Sequence, residues 1–359
     1  MDDKALDLIN FVAKMGGEKN LRVEENLGEG FVRLRVAEAE RRQAKHDIRC
    51  VEDIVVEMLR NSRDAGAKHI FVATTKDQTT RSLVLLDDGC GIPEDMQDKI
   101  FDARVTSKLE SMHMDKWGVH GRGMALFSVK ENVCEAKVAS SQEGLGAAIR
   151  VVSEIGVLSE KTDQSTWPQI GLNDKKEQVI VRGPHNIIRT CCEFGLEEKG
   201  VCSVYIGSPA EIIASIRRYM RPDVPSTDLL FIDDLDQLAV LDRFYAANTV
   251  CELQQVAQSC GLEVSERTLH RIIAQEVKPA QNVVSKLLRS PQSKPSDIDL
   301  IKDRRGLKIS QDDIDKFSRQ MERDFTYLAS RYYVSLAKEP KVKVSGNKIT
   351  VTFDIDKFD

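Results

Sequence analysis

The stretch VVEMLRNSRDAGA, residues 55–67, sets Glu57, Asn61 and Asp64 at intervals of four and three. On a helix that spacing brings them to one side, while Val55, Val56, Met58 and Leu59 make an apolar face. A charged helical stripe of this kind is ordinarily a solvated face, so its chemistry depends on what accompanies it. DDGCGIP places Asp87 at the end of an apolar run, followed by Gly89 and Gly91, where a flat ring can approach the backbone with no Cβ in the way. A carboxylate there can accept a hydrogen bond from an exocyclic amine such as that of adenine. RVTSK offers Thr106, Ser107 and Lys108 as donors to phosphate oxygens. GVHGRG sets Gly118, Gly121 and Gly123, with Arg122 among them, just ahead of an apolar helix. Backbone N–H groups at such a helix start make an anion site. An asparagine on the first helix supplies a hard amide oxygen suited to Mg²⁺. A glutamate one turn before it can orient and deprotonate a water aimed at a γ-phosphate.

Each segment alone is weak, since a glycine cluster is more often a turn than a nucleotide loop. The ordered set E-xxx-N-xx-D-A, D-x-G-x-G, T-S-K and G-xx-G-x-G before a helix resembles the GHKL (Bergerat-fold) ATPase superfamily, over about residues 50–130. Within it the chain looks most like the branch of the topoisomerase VI B subunit and MutL. The resemblance implies Glu57 as the water-activating base, Asn61 as the Mg²⁺ ligand and Asp87 as the adenine-reading carboxylate. Gly89, Gly91, Thr106, Ser107, Lys108, Gly118, Gly121, Arg122 and Gly123 complete the implied nucleotide site, with ATP and Mg²⁺ as cofactors. Asp64 reads as structural. His46, in HDIR, reads as a surface residue and not as the phosphoacceptor of a histidine kinase, whose box lies well upstream of the nucleotide site. The chain departs from the family where a Gly-Thr pair is usual on a late strand: the candidates read GAAIRV and GVCSVYI. A full transducer domain is also absent from the pattern, and Lys341, Lys343 and Lys348 match no phosphate-sensing lysine.

The elements that must position these residues follow from periodicity. Residues 1–44 read as a charged helical arm. HIFVATT and RSLVLLD read as strands, residues 94–117 as irregular, and CEAKVASS and GAAIRVVSE as further strands. Residues 160–186 read as loop, punctuated by Trp167-Pro168 and Gly183-Pro184. A strand at GVCSVYIG, a helix from Pro209 and a strand at DLLFID follow. From about residue 240 the chain reads as helical. The Pro/Ser/Lys-rich SPQSKPSD then leads to a long helix and two alternating strands around Ser-Gly-Asn. The fold class implied is α+β: a Bergerat-fold α/β sandwich, a mixed sheet with helices on one face, then a small helical domain and a C-terminal helix plus β-hairpin. The boundaries expected are an arm at 1–44, the ATP-binding domain at 45–240, the helical domain at 241–300 and the C-terminal part at 301–359.

With 359 residues, 41% hydrophobic and 30% charged, the chain has the composition of a soluble globular protein of two or three domains. A net charge of −5 argues against a chain that coats nucleic acid or anionic membrane throughout. Residues 278–308 nevertheless carry eight Lys/Arg against three Asp; this is a patch for phosphates or a solvated linker, both equally open. Residues 249–275 read as helix-turn-helix-like, with Arg267, His270 and Arg271 outward, or as a plain helical bundle. The eight cysteines show no paired spacing and read as reduced thiols. No membrane span or signal core is evident, so a cytoplasmic protein is expected. The leading expectation is a Mg²⁺-dependent ATPase whose nucleotide drives a conformational or dimerisation switch, in DNA-associated work and as an ATP-dependent homodimer. The alternative is an ATP-sensing regulator with a helix-turn-helix DNA-binding module and little turnover. A third reading is histidine-kinase-like phosphotransfer.

Overall fold

The computed structural model of the chain describes residues 23–28, 31–34, 38–106, 113–115, 118–120, 124–173, 177–220, 234–289, 309, 311–332, 334–345 and 348–357. In chain order the elements begin with β1 (Val23–Gly28), β2 (Phe31–Leu34), α1 (Glu38–Asp47), α2 (Val51–Asp64), β3 (His69–Lys76) and β4 (Thr80–Asp87). Next come β5 (Val105–Thr106), β6 (His113–Asp115), β7 (Gly118–His120), α3 (Ala125–Glu131), β8 (Glu135–Ser141) and β9 (Ala147–Glu154). β10 (Gln169–Leu172), β11 (Gln178–Arg182), α4 (Ile187–Glu197), β12 (Ser203–Gly207) and α5 (Pro209–Tyr219) follow. Then come α6 (Val240–Ala246), α7 (Val250–Ser259), α8 (Glu266–Ile273) and α9 (Val283–Arg289). The chain divides into two compact units, Met1–Gln292 and Ser293–Asp359.

The centre of the first unit is a mixed five-stranded sheet in the order β12-β3-β4-β9-β8. β12 runs parallel to β3, and the remaining pairs are antiparallel. Strand side chains alternate between faces, and here both faces are buried, which is why β3 and β4 read as unbroken apolar runs. On one face Ile70, Val72, Leu83, Leu85, Ile149 and Val151 pack with Met58 and Leu59 of α2 and Phe194 of α4. On the other, Phe71, Ala73, Val84, Leu86 and Ala148 pack with residues of α5, α6, α7 and α8, among them Ile213, Phe244, Val256 and Leu269. The α+β sandwich is therefore present, but helices cover both faces and not one. The physical reason is the apolar residues at both parities of β3 and β4, which leave no solvated side. For the same cause the segment following residue 240 does not stand apart as a helical domain: α6–α8 share the second core, and the chain divides only after Gln292.

Three stretches differ from their sequence expectation. Within the supposed helical arm, β1 and β2 form an antiparallel hairpin in which Gly28 takes φ +86°, and among the described residues only α1 is helical. β2 pairs in turn with β5, setting Val32 against Thr106 and Arg33 against Val105. Residues 1–22 lie outside those described. The expected loop at 160–186 contains the hairpin β10–β11. α4, absent from the sequence reading, begins at the fully buried Asn186, whose side chain accepts from Arg189 N and so caps the helix. α5 starts as read, at Pro209, with a reciprocal capping box between Ser208 and Glu211. The expected strand at DLLFID, residues 228–233, falls outside the described residues.

In the second unit, α10 (Gln311–Tyr332) precedes β13 (Val334–Leu336), β14 (Lys341–Ser345), β15 (Lys348–Thr352) and β16 (Ile355–Lys357). β14 and β15 are the expected hairpin, β13 pairs with β16, and Phe325 of α10 stacks on Phe353 with ring centroids 5.3 Å apart.

Candidate functional site

Helix α2 is amphipathic, and its apolar face is wholly buried against the sheet. This fixes the helix's rotation, so Glu57 and Asn61 are set one turn apart along a single edge, both partly exposed. The helix ends at Ala65, where Gly66 takes the left-handed conformation with φ +78°. The backbone then enters β3, and β4 returns antiparallel to it with Asp87 opposite Ile70.

Asp87 shares the parity of Leu83 and Leu85 and so faces α2. The residue is 5% exposed. Burying it requires hydrogen bonds: Ser62 Oγ donates to Oδ2 at 2.7 Å and Gly89 N donates to Oδ1 at 2.9 Å. The turn after it is stitched to its surroundings. Cys90 N donates to Ala65 O, Gly144 N to Cys90 O, and Ile92 N to Ser141 Oγ. The two glycines of this turn serve close packing. A Cβ on Gly89 would stand 2.8 Å from Ala65 Cβ, and one on Gly91, at φ +69°, would stand 1.8 Å from Gln142 O. The space expected for a ring at these two Cβ positions is therefore taken by the protein's own atoms. The neighbouring Asp88 anchors the start of β3 by accepting from Lys68 N and His69 N and pairing with His69 Nδ1 at 2.7 Å. Burial raises its pKa, but the His69 bonds outweigh this and hold the carboxyl below its ordinary value.

Glu57 accepts from Arg60 Nη1 at 2.8 Å. Asn61 Nδ2 is buried and without a hydrogen-bond partner. Asp64 pairs with Arg63, which also reaches Glu198 Oε1 at 2.8 Å and so ties α2 to the end of α4. Thr106 lies in β5, and Gly118 in β7, opposite Asp115. Ser107, Lys108, Gly121, Arg122 and Gly123 lie outside the described residues. The Gly-Thr departure is located by strand register: Gly146 precedes Ala147, which pairs directly with Asp87 on one side and Ser141 on the other. A methyl group thus occupies that place beside the carboxylate. His46, in α1, is exposed. Arg267, His270 and Arg271 are exposed on α8, where Arg271 pairs with Glu276, and Leu269 and Ile272 of the same helix are buried in the second core.

The sequence reading missed Arg60 and Ser62, the side chains that touch Glu57 and Asp87. The available signals were the i, i+3 spacing of Glu57 and Arg60 and the position of Ser62 on the buried side of the helix. All eight cysteines are unpaired thiols. Burial, first of all, pushes the Cys192 thiol up to about 12, against the lowering effect of the Lys286 ammonium and with a further rise from Glu193.

Mg²⁺ fits this donor set. Asn61 offers a hard amide oxygen beside the Glu57 carboxylate, and its buried Nδ2 is bound to nothing that would commit the amide elsewhere. Among the described residues no group of three or more His, Cys, Asp or Glu is placed to cage a metal.

Residues 48–190 match the family described as histidine kinase-, DNA gyrase B- and HSP90-like ATPases. The matched segment is a GHKL ATPase-family domain. It takes in α2, the Asp87 turn and the strands β3, β4, β8 and β9 of the central sheet. Within the MutL branch of the GHKL superfamily, the DNA mismatch repair protein MutL of Anaplasma phagocytophilum (strain HZ) is 33% identical over 123 residues. That match covers 33% of this chain and 18% of the MutL protein, so the likeness concerns a small part of the relative. Among the described residues no helix is long and apolar enough to cross a membrane.

Proposed function

We propose that the chain is a Mg²⁺-dependent ATPase in which Glu57 activates water, Asn61 holds the metal and Asp87 reads adenine. The observation that carries this reading is that one helix, α2, bears the partly exposed Glu57–Asn61 pair and, through Ser62, holds the buried, doubly hydrogen-bonded Asp87. When bound, Mg²⁺ neutralises charge developing on the phosphate chain. The protein's own groups then do the rest. Asp87 accepts from the 6-amino group, and Asn61 would hold the metal through its amide oxygen. Glu57 takes the proton of the attacking water. Backbone N–H groups and side chains of 106–108 and 118–123 complete the anion site. ATP binding then drives a conformational or dimerisation switch in a cytoplasmic protein working on DNA; the GHKL domain and the MutL likeness of that domain support this part.

The test is ATP hydrolysis by the full chain with and without Mg²⁺. Glu57→Ala should lower turnover by ~10²–10⁴-fold while a non-hydrolysable ATP analogue still binds. Asn61→Ala should weaken Mg²⁺-dependent nucleotide binding itself. Parental turnover in the Glu57→Ala protein would remove Glu57 from its role.

A further inference from the structure

Arg60 lies one turn after Glu57 on α2, and its Nη1 donates to Glu57 Oε1 at 2.8 Å. The Arg60 side chain is 3% exposed, against 21% for Glu57. An exposed pair at this spacing contributes little and samples many geometries. A guanidinium packed along its whole stem keeps one direction. Burying an ion pair seldom repays its own desolvation, so stability alone is a poor reason for placing this one beside a reacting carboxylate. Electrostatics supplies a better one. A carboxylate poised at the terminal phosphate of a nucleotide faces like charge, and in a partly buried site that repulsion is weakly screened. A fixed cation on the far side of the carboxylate offsets it.

We infer that Arg60 is a positioning residue for the hydrolysis: it holds the Glu57 carboxylate in place against the phosphate's charge and fixes which oxygen faces the water. Arg60 acts on the reaction through Glu57, so the inference rests on the reading of Glu57 as base.

The test uses the full chain with Arg60→Met, which keeps the stem and removes the charge, and Arg60→Lys, which keeps charge and one donor. For each, kcat and KM for Mg²⁺-ATP, affinity for a non-hydrolysable ATP analogue and the melting temperature are measured beside Glu57→Ala. Arg60→Met should lose roughly 10–100-fold in kcat, the cost of a misplaced reacting group. Its KM and analogue affinity should stay within about twofold of the parent, and Arg60→Lys should recover part of the loss. Parental kcat in Arg60→Met, or a kcat loss matched by lost analogue affinity, overturns the inference. If Arg60→Met does not fold, the lysine variant decides: reduced kcat at parental affinity supports positioning, and parental kcat overturns it. An inactive Glu57→Ala with a fully active Arg60→Met removes this inference alone. A fully active Glu57→Ala removes the reading of Glu57 and this inference with it.

Discussion

Asp87, the proposed base reader, has both carboxylate oxygens engaged, by Ser62 and by its own turn at Gly89. Such a group discriminates between bases by what they present to it. Adenine offers a 6-amino donor, whereas guanine carries a carbonyl at that position. Asp87→Asn should therefore lower affinity for ATP more than for GTP. A buried polar group left without its partner costs ~1–3 kcal/mol, or roughly ten- to a hundred-fold in affinity. Titration with both nucleotides checks this, and equal losses would show that Asp87 does not read the base. Glu57, Asn61 and Asp87 stand out in the sequence as candidates because the roles proposed for them depend on residue type and short spacing. Their supports do not. Ser62 and Arg60 matter only once the rotation of α2 is known, and that rotation is set by Met58 and Leu59 packing on a sheet formed from distant segments.

At the scale of elements, the turn after β4 is where three segments meet: the end of α2, the Asp87 strand and the turn between β8 and β9. Gly91 approaches Gln142 O so closely that no side chain fits, and its φ of +69° disfavours one independently. Gly91→Ala should thus push the β8–β9 turn off the Asp87 loop. The fold should lose ~1–3 kcal/mol, the range for overpacking, with nucleotide affinity falling alongside. Thermal melts and analogue titration report the two effects; an unchanged melt would mean that the turns part without cost. The strands β3 and β4 and the helix α5 could be read from period and capping. α4 was hidden because IIRTCCEFGLE is apolar on most sides and its cap, Asn186, is itself buried. β10 and β11 were hidden by the proline punctuation on either side. β1 and β2 were mistaken for helix because charged residues alternate poorly in VEENLG, and the hairpin is held by its pairing with β5, which no local pattern announces.

At the scale of the whole molecule, the β1–β2 hairpin joins the N-terminal segment to the strand that leads into Ser107 and Lys108. A nucleotide that engages 106–108 therefore bears on the N-terminal hairpin through shared backbone hydrogen bonds, and ATP should favour a dimer that uses both. Light scattering with and without a non-hydrolysable ATP analogue, on the full chain and on a protein lacking residues 1–40, checks this. A nucleotide-dependent rise in mass only in the full chain is the expected outcome; a mass indifferent to nucleotide in both would leave ATP acting within a fixed assembly. The layering on both faces of the sheet has a separate consequence, for portability. A nucleotide module cut off near residue 240 would bare the side of the sheet carrying Phe71, Val84 and Leu86, which α6–α8 cover. Such a fragment should collect in inclusion bodies, whereas one carried through Gln292 should melt as a cooperative body. The candidate ATP site is therefore not a detachable cassette: the α2 side of the sheet and the roof of α6–α8 on its other side have to be inherited, expressed and mutated together.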